Sequence, residues 1–569
     1  MLRRFIAPFA VAGLLSGCAT LPAPDSAADS AFEGAVSAAD PRAEAAGMAM
    51  LRRGGSATDA AIAVMLALTV VEPQSSGIGG GGFLVRGTAG GSIESFDGRE
   101  TAPAAATPEW FLAEDGSLPP FPESRQSGLS VGVPGNIAMA AMAHAEHGRL
   151  PWSALFDPAI ALAREGFRIN PRLNSSIDGT AERAGSSEAG KALYFDGAGA
   201  ARAVGERVIN EDLARTFEAI AAAGPEAFYQ GPRAESLAQT VAQATPHEAA
   251  MTAGDVASYQ PKSRDPVCRD YRGYRICGMG PPTSGGVAVL QILGMLERFD
   301  LAGLGVDNPE TWHLFLEAQR LAYADREIYL ADSDFVNVPV AGLLATDYLQ
   351  ERSALIDPAG SLTDVAAGIP AGVSMAYADG DEPEEHGTSH FAVVDREETM
   401  VSYTSTIESA FGSGLMSGGF FLNNELTDFS RSPMVDGRPV ANRVEGGKRP
   451  RSSMSPMVVW DPQGRPILAV GAAGGTTIPV QVARSIMGVI DFGLSAEDAL
   501  GLPFIMAFGD TVMVEQGTWL ETASAQFESL GHAEITVRPA PVKGGAVLRR
   551  DGRWESARDP RLEGQLELP

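Results

Sequence analysis

The sequence predicts a globular fold that mixes α-helices and β-strands. Helices are indicated by alanine-rich apolar segments of helical length, such as 57–71, which Ser56 can cap and Pro73 ends. Strands are indicated by β-branched runs, above all 389–394 and 400–407, which flank a polar turn and form a predicted hairpin. The 569 residues suffice for two or three domains, and the 45% hydrophobic content is typical of a globular chain.

The first residues form a targeting segment. Arg3 and Arg4 precede an apolar run over 5–15, which is shorter than the roughly 20 residues that cross a bilayer. The run ends in Leu-Ser-Gly-Cys, which is similar to a bacterial lipoprotein signal; a plain secretory signal with a chance cysteine is the alternative. We therefore expect residues 1–17 to be a signal peptide, Cys18 to be lipidated, and residues 18–39 to tether a periplasmic domain flexibly.

Charge and residue types exclude several classes of partner. A net charge of −28 argues against nucleic acid or an anionic membrane surface, so a lipid anchor would be the sole membrane contact. The seven histidines and three cysteines show no metal-ligand spacing, which predicts no metal and no cofactor. Cys268 and Cys277 flank a possible hairpin turn at Arg272 and Gly273; a disulfide and two buried thiols both remain open.

Two glycine motifs match known patterns in the wrong context. Residues 77–82 fit the dinucleotide-binding pattern G-x-G-x-x-G, but a predicted helix precedes them and a strand follows, so close backbone packing explains them better. Residues 128–132 fit G-x-S-x-G, with Ser130 as nucleophile, but polar residues precede them instead of a buried strand. The predicted helices 136–147, 150–166 and 207–223 carry no chemistry that we can assign. Further helices are predicted over 40–53, 287–299 and 310–330.

A threonine at the start of the predicted hairpin carries the first chemical signal. Thr388 follows a linker-like segment, 362–387, which is locally acidic and poor in large apolar residues. If the chain were cut before Thr388, one residue would carry both a hydroxyl nucleophile and a free α-amine. The pKa of such an amine is roughly 7.7–8.0, so it can act as the base at neutral pH. An ordinary strand threonine is the alternative.

The motifs after Thr388 favour the catalytic interpretation. They are the segments 387–395, 404–406, 422–429, 448–456 and 471–476. In composition and order they resemble the small subunit of the γ-glutamyltransferases (γ-glutamyltranspeptidases, glutathione hydrolases), which are N-terminal-nucleophile hydrolases. The resemblance continues through nearly the whole chain after residue 40. It implies an α+β fold, the four-layer αββα sandwich, formed jointly by two subunits.

The resemblance implies that the chain processes itself before it acts. Cleavage between Gly387 and Thr388 would give a large subunit, 40–387, and a small subunit, 388–569, which stay together as a heterodimer. Thr388 would then take the γ-glutamyl group of glutathione or another donor as an ester. Water, an amino acid or a peptide would accept it. The implied reaction is γ-glutamyl transfer and glutathione hydrolysis.

The resemblance also assigns a role to each remaining site residue. Thr406 would hydrogen-bond the nucleophile, and the N–H groups of Gly474 and Gly475 would form an oxyanion hole between a predicted strand, 466–470, and a predicted helix, 477–487. The residues expected to bind the donor's carboxylate are Arg99, Ser452 and Ser453, and those expected to bind its ammonium are Glu425 and Asp428.

Three departures from the family pattern leave the donor open. Glu408 stands where many members have an asparagine that helps to hold the amino group, so it can accept from an ammonium but adds a charge. Segment 430–447 is shorter than in members with a lid, and segment 503–506 lacks the arginine and histidine often found there. The alternatives are therefore a cephalosporin-acylase-like amidase, acting for example on a glutaryl group, and an uncleaved relative that only binds.

Overall fold

Two six-stranded antiparallel sheets form the centre of the structure. The computed structural model describes residues 32–375, 377–380, 387–532 and 534–568, so the predicted signal peptide and Cys18 lie outside the described residues. The strands of the first sheet, in spatial order, are Gly34–Ala38, Ser389–Asp395, Met400–Thr406, Gly81–Gly87, Ile93–Asp97 and Lys262–Arg264. Those of the second sheet are Arg553–Arg558, Lys543–Arg550, Pro466–Ala473, Met457–Trp460, Tyr274–Gly278 and Val267–Tyr271.

The two sheets pack face to face. The strand Ser389–Asp395 of the first sheet contacts both Pro466–Ala473 and Lys543–Arg550 of the second. Every residue of Ser389–Asp395 and of Met400–Thr406 is buried. A strand with both faces buried consists mostly of apolar and β-branched residues. This composition explains why the hairpin could be predicted from the sequence.

Helices cover the outer face of each sheet and complete the predicted αββα sandwich. Pro41–Arg52 and Ala57–Val71 lie on the first sheet, and Gly285–Leu296 and Ile478–Ile490 lie on the second. The remaining helices of eight or more residues are Asn136–His147, Asp157–Glu165, Pro171–Gly179, Glu211–Ala223, Gly231–Gln243, Pro309–Tyr329 and Thr346–Ser353. In the described part of the chain, no helix has both the length and the apolar content needed to cross a membrane.

Shorter elements occupy the periphery. The short α-helices are Phe121–Arg125, Ala181–Ala184, Glu188–Tyr194, Glu226–Tyr229, Ala253–Ser258, Leu301–Leu304, Val340–Leu343, Ala496–Gly501, Trp519–Thr522, Ser524–Ser529 and Glu563–Leu566. A separate three-stranded sheet contains Ile505–Phe508, Thr511–Glu515 and Glu534–Arg538. Two-stranded pairs join Phe167–Arg168 with Arg207–Val208, Met416–Ser417 with Phe420–Phe421, and Met434–Val435 with Arg438–Pro439.

The helix Ala57–Val71 brings the chain to the start of the strand Ser389–Asp395. Ser56 and Asp59 form a reciprocal capping box at its first turn, and all of its 15 residues are buried. A helix buried on every side needs no polar face, and this accounts for its almost wholly apolar sequence. Glu72 is the C-cap of this helix and accepts a hydrogen bond from the hydroxyl of Ser389. The segment after the helix therefore lies beside the start of the strand Ser389–Asp395.

The predicted flexible tether, 18–39, overlaps the first strand of the structure, so its predicted end is wrong. Residues Gly34–Ala38 are a strand instead, paired along their whole length with Ser389–Asp395, and Val36 and Ala38 are buried. The predicted tether therefore cannot extend beyond Glu33. This short edge strand is stabilised by backbone hydrogen bonds to a segment that is distant in the sequence. Its own small residues therefore did not indicate a strand.

Two helix predictions also need correction. The predicted helix 150–166 is a 3₁₀ turn, Trp152–Leu155, followed by the helix Asp157–Glu165, with Pro158 in the first turn where a missing N–H is tolerated. The predicted helix 207–223 starts as the strand Arg207–Val208, and only Glu211–Ala223, capped by Asn210, is helical.

Cys268 and Cys277 lie directly opposite each other on neighbouring strands of the second sheet. The strands Val267–Tyr271 and Tyr274–Gly278 form the hairpin that the sequence indicated, and a disulfide joins the two cysteines in the structure.

Candidate active site

Thr388 and Thr406 meet at one edge of the central hairpin. Ser389 lies opposite Ser405 in the antiparallel hairpin. Thr388 directly precedes Ser389 and Thr406 directly follows Ser405, so the two threonines lie beside each other at the same edge. The hydroxyl of Thr388 donates a hydrogen bond of 3.0 Å to Oγ1 of Thr406, which also accepts the N–H of Glu408 at 2.8 Å. Both threonines are buried. The contact has the geometry that the predicted nucleophile and its partner require.

The backbone at the predicted cleavage site is tightly constrained. Thr388 has a φ of +86° and Glu408 a φ of +70°, a region that β-branched residues in particular avoid. Gly387 packs so closely on the carbonyl group of Glu408 that a Cβ atom at this position would overlap its oxygen. Such conformations cost of the order of 1–3 kcal/mol each and persist only where the surroundings enforce them.

The glycine run 77–82 packs against the strands Met400–Thr406 and Phe420–Phe421. A Cβ atom on Gly79 would overlap the carbonyl oxygen of Phe421, and one on Gly80 would overlap that of Thr406. Close backbone packing is therefore the correct interpretation of this motif. In the second motif, the Ser130 hydroxyl donates to the carbonyl oxygens of Arg125 and Ser127 within a buried turn, which is not the strand end that a nucleophile elbow requires.

Gly474 and Gly475 lie where the strand Pro466–Ala473 ends. A 3₁₀ turn, Gly475–Thr477, leads into the helix Ile478–Ile490. The glycines have φ angles of +126° and +57°, which glycine adopts readily. Backbone N–H groups ahead of a helix N-terminus suit a developing negative charge, as the predicted oxyanion hole requires.

Arg99 lies between the two acidic residues predicted to bind an ammonium. Its Nη1 pairs with Glu425 and its Nη2 with Asp428, while Nε donates to the carbonyl oxygen of Pro450 at 3.1 Å. All three side chains are at most 2% exposed, so the ion pairs are shielded from water. The predicted carboxylate ligand and the predicted ammonium ligands thus contact each other, and a zwitterionic donor would exchange these contacts for its own.

Two further carboxyl groups, those of Glu408 and Glu100, lie beside this cluster. Burial raises the pKa of Glu408 to about 7. Burial also raises the pKa of Glu100, which lies near Arg99 and Asp428, to about 8. Burial likewise raises the pKa of Glu425 well above its ordinary value. Glu408 accepts a hydrogen bond from Asn424 through one oxygen. Glu100 carried no predicted role, although its position directly after Arg99 is a signal that the sequence offers.

The serine pair is held by residues of the predicted large subunit. The hydroxyls of Thr283 and Ser284 both donate to the carbonyl oxygen of Ser452, at 3.0 and 2.7 Å. Arg326 donates to the hydroxyl of Ser453 at 2.8 Å. All these residues are buried. Segments 281–286 and 310–330 carried no predicted role, and the structure gives them one in supporting the pair.

A cavity of about 930 Å³ opens beside the glycine pair. Its wall includes Thr476 and Met506 from the predicted small subunit, and Tyr323 and Glu327 from the predicted large subunit. The Tyr323 hydroxyl donates to the carbonyl oxygen of Thr476, so the cavity adjoins the turn that holds the predicted oxyanion donors.

One buried group has the residue types of a metal site. In the described part of the chain, His313, Glu317 and His532 bring ligand atoms within 4.8 Å of one another. The two rings are hydrogen-bonded to each other at 2.8 Å, His313 also bonds the carbonyl oxygen of Asp357, and Arg320 pairs with Glu317. Hydrogen bonds alone thus account for this arrangement.

Comparison with known proteins places the chain in a family. The family model described as "Gamma-glutamyltranspeptidase" matches residues 43–568. The glutathione hydrolase proenzyme of Bacillus subtilis (strain 168) is 39% identical over 488 residues, covering 83% of this chain and 80% of the relative. The glutathione hydrolase proenzyme of Escherichia coli (strain K12) is 34% identical, with 99% of this chain and 98% of the relative covered.

Solved structures agree with the sequence relatives. The cephalosporin acylase from Bacillus halodurans has a TM-score of 0.81 at 28% identity and covers 96% of this chain and 98% of its own. The γ-glutamyltranspeptidase of Helicobacter pylori has a TM-score of 0.55 at 37% identity, over 58% of this chain and 93% of its own. The fold is that of the N-terminal-nucleophile hydrolases, and the chain belongs to the γ-glutamyltranspeptidase family.

Proposed function

We propose that this protein is a self-cleaving γ-glutamyltransferase and glutathione hydrolase with Thr388 as its nucleophile. In maturation, the Thr388 hydroxyl attacks the carbonyl carbon of Gly387, the peptide C–N bond breaks, and the nitrogen of Thr388 takes up the hydroxyl proton. Water then hydrolyses the resulting ester. The products are a large subunit ending at Gly387 and a small subunit whose first residue carries a free α-amine and a free hydroxyl.

Turnover uses the same hydroxyl a second time. The α-amine of Thr388 takes the hydroxyl proton while the oxygen attacks the γ-carbonyl of the donor. The N–H groups of Gly474 and Gly475 stabilise the oxyanion, and the proton passes to the leaving amine. The γ-glutamyl–Thr388 ester is then attacked by water or by the amine of an amino acid or peptide, with the α-amine again acting as base.

The polar cluster explains why a γ-linked glutamyl group would be selected. The donor's α-carboxylate would be held by Arg99 and the serine pair, and its α-ammonium by Glu425 and Asp428. An α-linked glutamyl group has no free carboxylate at this position, so it could not replace Glu425 and Asp428 as the ligand of Arg99. The observation that carries the proposal is the buried Thr388–Thr406 hydrogen bond directly after Gly387.

Hydrolysis of chromogenic amides tests the proposed donor. The cleaved protein should release p-nitroaniline from γ-glutamyl-p-nitroanilide at least about 100-fold faster than from glutaryl-p-nitroanilide, which lacks the ammonium that pairs with the buried carboxylates. α-Glutamyl-p-nitroanilide is the matched control for the position of the amide. A preference for the glutaryl compound would instead favour an amidase. The likeness to a cephalosporin acylase at a TM-score of 0.81 makes this the second candidate.

Glu408 should make donor binding depend on pH. Its buried carboxyl has a pKa of about 7, so it is neutral below that pH and gains its charge above it. The KM for γ-glutamyl-p-nitroanilide should therefore fall roughly tenfold as the pH rises through 7, since a hydrogen bond to a charged group contributes about 1.5–3 kcal/mol. Glu408→Gln should lose this fall, whereas Glu188→Gln, at an exposed site, should keep it. A pH-independent KM in the unmodified protein would contradict the assignment.

We also propose that the mature protein is held at a membrane facing the periplasm by a lipid on Cys18. The sequence around this residue supports the proposal, and the first strand of the described residues, Gly34–Ala38, lies only 16 positions after it. Cells grown with radiolabelled palmitate should yield a labelled protein in the membrane fraction. Cys18→Ser should be unlabelled. An unlabelled, freely soluble protein from the unchanged sequence would favour the plain secretory signal.

A further inference from the structure

A buried lysine connects the second sheet to the predicted nucleophile. Lys543 is the first residue of the strand Lys543–Arg550, and its Nζ reaches across to the first sheet. There it donates to the carbonyl oxygen of Thr388 at 3.0 Å and lies 3.1 Å from the hydroxyl oxygen of Ser389. The lysine is buried. Burying a lysine is costly unless its amine is paired and hydrogen-bonded, and these contacts supply part of that compensation.

The segment after the helix Ala57–Val71 holds the other side of this contact. Nζ of Lys543 lies 2.7 Å from Oε2 of Glu72 and 3.3 Å from the hydroxyl oxygen of Ser75. The carbonyl oxygen of Ser75 accepts the N–H of Thr388 at 2.9 Å. The nitrogen and the carbonyl oxygen of Thr388 are therefore both fixed by one local network, which leaves its side chain directed at Thr406.

Glu72 anchors the lysine electrostatically. Although burial opposes the charge, Lys543 and Arg172 together lower the pKa of Glu72 to about 2, so this carboxylate is ionised. Burial also lowers the pKa of Lys543 to about 7. Protonated or neutral, the amine keeps N–H donors, so the contact with Thr388 does not require the charge.

The backbone of Lys543 is tied to the predicted oxyanion turn. Its N–H donates to Oε1 of Gln481 at 3.1 Å, and Nε2 of Gln481 donates to the carbonyl oxygen of Ala473 at 2.8 Å. Ala473 pairs with Lys543 across the strands and directly precedes Gly474. Lys543 thus joins the segment that carries the nucleophile to the segment that carries the predicted oxyanion donors.

We propose that Lys543 is a positioning residue for Thr388, an inference that rests on the proposed function. By holding the carbonyl oxygen of Thr388 against the Glu72 and Ser75 segment, it sets the direction of the Thr388 hydroxyl, both toward the Gly387 carbonyl during cleavage and toward the donor during turnover. It touches neither the predicted donor-binding residues nor the hydroxyl itself. Its loss should therefore affect the rate of reaction and not the binding of the donor.

The test compares Lys543→Met with Arg172→Met in the full chain. Both changes remove a cation that pairs with Glu72, but only Lys543 contacts Thr388. Lys543→Met should slow self-cleavage and lower kcat for γ-glutamyl-p-nitroanilide at least about tenfold, since small misplacements of reacting groups cost up to about 10²-fold, with KM unchanged within about twofold. Arg172→Met should lower Tm similarly but keep kcat within about threefold. Lys543→Arg, which keeps N–H donors, should recover part of the rate.

The rates of the variants and of the unmodified protein distinguish failure of the Lys543 proposal from failure of the proposed function. Equal rate losses in the methionine variants, or a Lys543→Met loss that appears in KM and not in kcat, would overturn the proposal. If Lys543→Met does not fold, Lys543→Gln is measured against the same criteria. An unmodified protein that remains uncut or inactive would instead refute the proposed function, so the two failures are distinguishable.

Discussion

Replacing Thr388 by alanine should leave an uncut chain that does not hydrolyse γ-glutamyl-p-nitroanilide. The change removes the hydroxyl that hydrogen-bonds Thr406 and, with it, the proposed nucleophile of both cleavage and turnover. The rate should fall at least about 10³-fold, as expected when a covalent nucleophile is lost. Denaturing gel electrophoresis measures cleavage, and release of p-nitroaniline measures turnover.

Thr388→Ser is the matched control for this experiment. It keeps the hydroxyl and removes only a methyl group, so it should still be cleaved and retain measurable activity. An alanine variant that is both cleaved and active would remove Thr388 from the mechanism. An alanine variant that is uncut, while serine restores both cleavage and activity, would locate the chemistry at this hydroxyl.

Replacing Gly387 by alanine should slow maturation strongly without removing any reacting group. An added Cβ atom would overlap the carbonyl oxygen of Glu408, which is backbone and cannot rotate away. Either Gly387 or the segment holding Glu408 must then shift, and the attacking hydroxyl loses its alignment with the Gly387 carbonyl. Because misalignment of about 1 Å can cost roughly 10²-fold, we expect cleavage to slow by about that factor.

A time course of intact mass after purification measures this cleavage rate. Gly197→Ala is the matched control, because a Cβ atom at Gly197 meets no neighbouring atom within 4 Å. It should mature at the unmodified rate. If Gly387→Ala also matured at that rate, the close contact with Glu408 would have no part in positioning the cleavage site.

Local patterns made the central hairpin and the main helices predictable. Segment 389–394 is a run of mostly apolar and β-branched residues because both faces of its strand are buried, and the helix Ala57–Val71 carries its own cap at Ser56. The predicted partners Thr388 and Thr406 also meet, since the hairpin register fixes their separation once the turn is known.

Contacts between distant segments could not be predicted in the same way. The strand Gly34–Ala38 exists because it pairs with residues more than 350 positions away, and nothing in its own composition indicates this. Lys543 and Glu72 are 471 residues apart, and only the packing of the two sheets brings them together beneath Thr388. The ion pairs of Arg99 with Glu425 and Asp428 likewise depend on the folded chain.

The most direct test of the account is the intact mass of the purified protein under denaturing conditions, with N-terminal sequencing of any smaller fragment. We expect two polypeptides, the smaller of which begins Thr-Ser-His-Phe at Thr388. A single uncut chain, or a fragment that begins at any other residue, would contradict this expectation, because the free α-amine on which the proposed mechanism depends would then be absent from Thr388.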